Sequence, residues 1–196
     1  MRIPLFLAVL LSASTAVSQP KQVPFSADII QSGHPAMGQM QGKIYMSDAK
    51  MRMEIAGMVT LVDLKTMESW LLSPEKKTAM KLPASAQGQQ SVRPTAGNPC
   101  ANNKEATCKD LGVEKIDGRE THKWQITHPK LGTSTTWIDV KLSFPLRTEM
   151  AQGLKMELKN IKEGAPDPSL LEVPKDYALQ AMPALPGMSG AQQPGL

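Results

Sequence analysis

Apolar side chains recur at every second position in one stretch of this chain after another, and that two-residue period decides what it can fold into. Met51, Met53 and Ile55 alternate with Arg52, Glu54 and Ala56. Thr78, Met80 and Leu82 alternate with Lys77, Ala79 and Lys81, and Leu154, Met156 and Leu158 with Lys155, Glu157 and Lys159. Successive side chains of an extended strand point to opposite faces, so each stretch is a strand with one dry face and one wet face. Such strands build antiparallel sheets, because strands buried on both faces read as unbroken apolar runs. Helices on both sides of the sheet are not expected.

The turns support the same topology. Asp117-Gly118 separates Val113–Ile116 from Arg119–Trp124, and both residues tolerate the positive φ that a two-residue hairpin turn demands. Ser47-Asp48-Ala49, Asp63–Thr66, Ser73-Pro74-Glu75 and Lys130-Leu131-Gly132 supply further turns. These signals divide the chain into about ten strands, and a sheet of that size curls rather than leave long flat edges. One helical turn is expected near the end: Asp167 caps it, Pro168 opens it, Pro174 stops it, and Leu170 and Leu171 press on the sheet as a plug at one opening.

Three segments stand apart. Residues 1–18 read as a secretory signal peptide, with Arg2, the apolar run Leu5–Leu11 and small residues at Ala16 and Ser18. The remainder, 19–181, is expected to form one domain. Within it, 83–99 carries almost no charge and only Val92 as a large apolar side chain, so it reads as a mobile surface insertion. The Pro/Gly-rich stretch 182–196 reads as a disordered tail. No cysteine follows the apolar run to take a lipid anchor, and no later stretch is apolar enough to span a bilayer, so a soluble periplasmic or secreted protein is expected. Cys100 and Cys108 are the two cysteines of the chain, and an oxidising compartment favours their pairing as a structural staple.

The charge balance excludes some partners. With 22 Lys+Arg, 18 Asp+Glu and no block of like charge, nucleic acid is not expected. No Gly-x-Ser-x-Gly, Walker, Rossmann or His-Glu-x-x-His pattern occurs, and the aspartates fall at turns and strand ends, so no enzyme and no cofactor is expected. His122 and His128 share a strand face but stand roughly 20 Å apart, too far to share a metal ion; His34 lies in a turn beside Pro35. Methionine is the unusual component, at 13 residues. Met37, Met40, Met51 and Met53 place thioethers close together, as a copper(I) site would. Alternation also points Met51 and Met53 inward, where flexible, polarizable side chains line an adaptable apolar space.

The order of elements resembles the LolA/LolB-like proteins. The residues that carry the resemblance are Gly42–Tyr45, Lys50–Glu54, Leu61–Asp63, Trp70–Pro74, Trp137–Asp139 and Pro145–Arg147. Leu158–Ile161 and Asp167–Pro174 are similar to a group of uncharacterised exported bacterial proteins related to them, a domain of unknown function. The resemblance spans most of residues 25–177. It implies a mainly β fold, an incomplete antiparallel barrel with a few short helices, whose apolar hollow receives acyl chains. Where LolA-like carriers have an Arg-Pro pair, this chain reads Ser47-Asp48-Ala49.

Parity and the family's inner face together nominate Ile44, Met46, Met51, Met53, Trp70, Leu72, Met80, Trp124, Ile126, Met156 and Leu158 as lining. The expected function is non-catalytic binding of a lipid, acyl chain or other apolar ligand in lipid or lipoprotein handling in the cell envelope, with an envelope protein as a possible partner. The rival readings are a copper(I) binder and a structural or interaction domain with a filled core.

Overall fold

The structure, a computed structural model, describes residues 23–34, 38–82, 98–101 and 103–180. The expected signal peptide, all but the last two residues of the 83–99 segment, and the tail lie outside the described residues. Twelve strands are described: β1 Phe25–His34, β2 Gly38–Met46, β3 Lys50–Ile55, β4 Met58–Asp63, β5 Ser69–Ser73, β6 Thr78–Leu82, β7 Thr107–Ile116, β8 Arg119–His128, β9 Gly132–Asp139, β10 Phe144–Met150, β11 Lys155–Glu163 and β12 Ala178–Gln180. A 3₁₀ turn, Pro168–Leu171, precedes β12.

The count exceeds the expected ten for local reasons. Ala56 and Gly57 form a tight turn between β3 and β4 with φ of 51° and 78°, and no Asn or Asp announces it. β12 is three residues long, too short for alternation to register. The Asp117-Gly118 hairpin forms as expected, with φ of 48° and 80°.

All twelve strands belong to one sheet, ordered β12-β6-β5-β4-β3-β2-β1-β11-β10-β9-β8-β7. One meander runs from β1 to β6 and a second from β7 to β11, and the pairing of β1 with β11 joins them. Every neighbouring pair is antiparallel except β12 with β6. β7 and β12 remain as edges, so the barrel is open.

The sheet rolls toward one face. In a flat sheet β1 and β10, two strands apart, would lie roughly 9.5 Å from each other, yet the rings of Phe25 and Phe144 meet edge to face with centroids 5.3 Å apart. The main core fills this fold of the sheet with Phe25, Ala27, Ile29, Ile44, Met46, Met51, Val62, Leu142, Phe144, Leu146 and Leu158. A β-bulge opposite Ala27, where Asn160 takes φ 51°, adds curvature between β1 and β11.

A smaller core of Val59, Leu61, Leu72 and Ala79 lies on the outer face, covered by Trp70, Val173 and Tyr177. The 3₁₀ turn belongs to this side. Arg52 Nη1 donates to the Leu170 carbonyl at 3.0 Å and Lys50 meets Glu172 at 3.0 Å, and both basic residues alternate with the inward Met51 and Met53. The expectation of a plug at the barrel opening is therefore corrected: the turn seals the back of β3. The cap itself is as expected, Asp167 accepting from Ser169 N at 2.9 Å.

Candidate functional site: the concave face

Directly paired residues of neighbouring antiparallel strands share a face, and the registers therefore map the concave wall in rows. One row runs Met46, Met51, Val62, Ser69, Leu82 from β2 to β6, and the next runs Ile44, Met53, Thr60, Leu71, Met80. Phe25 and Ala27 of β1 extend these two rows. From β1 to β6 no charged residue occupies this face.

Methionines concentrate on it. Met40, Met46, Met51, Met53, Met58, Met80, Met150 and Met156 all fall on the concave side, leaving Met67, in a turn, as the one other methionine among the described residues. Met46 and Met51 are sealed in the core, Met40, Met53, Met80 and Met156 are half-buried, and Met58 and Met150 are exposed. An unbranched thioether adapts its shape to what it touches.

The eleven residues nominated from the sequence divide into three groups. Ile44, Met46, Met51 and Leu158 form the filled floor, each at 3% exposure or less. Met53, Met80, Trp124, Ile126 and Met156 stand on the same face beyond that floor. Trp70 and Leu72 are on the outer face, because Leu61 pairs with Trp70 and Val59 with Leu72 while Thr60 and Leu71 face inward. Parity along β5 alone offers two faces, and only its pairing with β4 selects one. Leu71 is an inward residue that sequence reasoning missed, because the alternation Ser69-Leu71-Ser73 is too weakly apolar to reveal its face.

The β7–β10 end of the face is more polar. A row runs Asp110, Trp124, Thr136, Thr148, Met156 and Gln31 across β7, β8, β9, β10, β11 and β1. The hydroxyls of Thr136 and Thr148 lie 3.3 Å apart. His122 bonds Asp110 at 2.8 Å, and its ring centroid is 4.8 Å from that of Trp124. The Gly112 backbone N–H, 2.7 Å from Asp110, holds that carboxyl below the usual range, and His122 adds to the effect.

His128 pairs with Glu105 at 3.3 Å. No group of three or more His, Cys, Asp or Glu that could hold a metal ion occurs among the described residues. Cys100 and Cys108 are bridged as expected, with Cα atoms 5.8 Å apart. No described helix is long and apolar enough to cross a membrane.

An open, curved antiparallel sheet whose concave face is rich in methionine and, from β1 to β6, free of charged residues is the class of molecule this geometry defines. No family model matches the sequence, and no curated protein does. Solved structures do share the fold. An uncharacterized conserved protein from Thermus thermophilus matches with TM-score 0.57 and 12% identity over 82% of this chain and 91% of that one. PNGF-II matches with TM-score 0.51 and 12% identity, over 83% of this chain but only 31% of its own. A LolA superfamily protein, NE2245 from Nitrosomonas europaea, is also similar, at TM-score 0.36 and 11% identity over 79% and 92% of the two chains.

Proposed function

We propose that this protein is an exported, non-catalytic carrier or receptor for an acyl-chain lipid or similarly apolar ligand, held in the concavity of the open barrel. One observation carries the reading: the concave wall from β1 to β6 has no charged residue, and Met40, Met53, Ile55, Leu71, Met80 and Leu82 are half-buried apolar side chains on it. A chain laid there leaves water at about 0.8 kcal/mol per buried methylene, so a partly enclosed chain of about ten methylenes binds usefully after ordering costs. The disulfide fits an oxidising compartment. Charged side chains, among them Lys43 and Lys81, are exposed on the outer face of the same strands.

Native mass spectrometry of protein purified from a bacterial envelope, with lipid extraction and identification, tests the proposal. Co-purified acyl lipid is the expected result. Protein that emerges empty and takes up no lipid from mixed micelles would refute it.

A further inference from the structure

Trp124 is 8% exposed, and its indole Nε1 is buried with no hydrogen-bond partner, the one side-chain atom so placed among the described residues. Buried N–H groups are paired in nearly all folded proteins, so an orphaned donor calls for an explanation. Trp137 shows the ordinary solution on the outer face: its Nε1 donates to Glu114, and Lys123 and Arg147 lie 4.8 and 5.4 Å from its ring centre. Trp124 stands instead on the concave face, between polar neighbours of the adjacent strands. Thr136 is its direct neighbour across the strands, followed by Thr148. Between them these two hydroxyls use one hydrogen on each other, which leaves a second hydrogen for another acceptor.

We infer that the Trp124 indole N–H is the anchoring donor for the carbonyl oxygen of a bound acyl ester or amide, whose chain runs across the concave face toward Met156. The inference rests on the ligand reading above and narrows it from apolar molecules in general to acyl carbonyl compounds. Asp110 lies directly across from Trp124 on β7, and its ionised carboxylate repels a free fatty-acid headgroup, so a neutral carbonyl suits the position.

Displacement titrations separate the two layers of the argument. N-phenyl-1-naphthylamine, which lacks a carbonyl, reports on the apolar wall; 1-monopalmitoylglycerol and N-palmitoylethanolamine carry an ester and an amide carbonyl on the same chain. Trp124→Phe keeps the ring and removes the donor, and is expected to weaken one or both acyl compounds roughly five- to tenfold while leaving naphthylamine affinity within about twofold. Loss for the ester alone assigns glycerol-type lipids, and loss for the amide alone assigns N-acylated partners. Equal affinities in wild type and variant, or a parallel loss for all three probes, would overturn the inference and leave the ligand reading intact. A wild-type protein that binds none of the three would end both.

Indole N–H resonances of the wild-type protein give a check independent of how the variant folds, with Trp70→Phe and Trp137→Phe used for assignment. On adding the acyl compound that binds, the Trp124 resonance moves downfield and that of Trp137 stays; a stationary Trp124 signal would also overturn the inference.

Discussion

Asp139 is 1% exposed, and its oxygens are fully engaged: the backbone N–H groups of Lys141 and Leu142 donate at 2.8 and 2.7 Å, and the Arg119 guanidinium donates as well. Arg119 reaches on to Glu163 at 3.0 Å, and Lys141 joins the same carboxylate, so one network ties β8 and the β9–β10 turn to β11. Lys141 and then Arg119 hold the Glu163 carboxyl below its ordinary value of 4.5, and the Thr66 backbone N–H similarly holds Asp63 below 3.8. Groups depressed on folding stabilise fully above their unfolded values, and that contribution disappears as pH falls toward the folded ones. The urea midpoint is therefore expected to be level between about pH 7 and 5 and to fall below about 4.5; a midpoint unchanged to about pH 3 would show that these pairs contribute nothing. At this scale the sequence disclosed the cysteine pair, since spacing and compartment suffice for it. The orphaned donor of Trp124 was not legible, because whether an N–H finds an acceptor depends on atoms brought from other strands.

The hairpins were legible as elements. Alternation and turn residues are local properties, and both Asp117-Gly118 and the Ser47–Ala49 connection form where those signals stand. Close approach between elements is less local. A Cβ added at Gly42 would lie 2.0 Å from the Glu54 carbonyl oxygen, so β2 and β3 meet there only because the side chain is absent. Gly118 meets nothing within 4 Å, and its constraint is the φ of 80°. Gly42→Ala is expected to lower stability by about 1–3 kcal/mol through overpacking, and Gly118→Ala by about 1 kcal/mol through backbone strain. Urea denaturation of the two variants checks this, and equal costs would mean that β2 and β3 relax apart freely. The 3₁₀ turn shows the same division, for its cap was readable in Asp167-Pro168 while its seat on the back of β3 was not.

For the whole molecule, function depends on which face curls inward. Met80 and Lys81 are neighbours on β6 but point to opposite sides, Met80 inward and Lys81 outward to Glu68. Met80→Glu places a charge in the hollow and is expected to reduce N-phenyl-1-naphthylamine affinity more than about tenfold, since an unpaired charge is strongly opposed in an apolar site. Lys81→Glu on the other face is expected to leave it within about twofold. Comparable losses for both would mean that the apolar ligand does not sit on the concave wall. The sequence by itself determined the strands, most of their turns and the period that gives each strand one dry face, because these depend on residues close together in the chain. Only the tertiary structure decided that Trp70 and Leu72 turn outward, that Ile44 and Met46 are consumed by the core, and that Trp124 keeps an unused donor inside. Those outcomes follow from strand register and from the direction of curvature, and both are set by contacts between residues far apart in sequence.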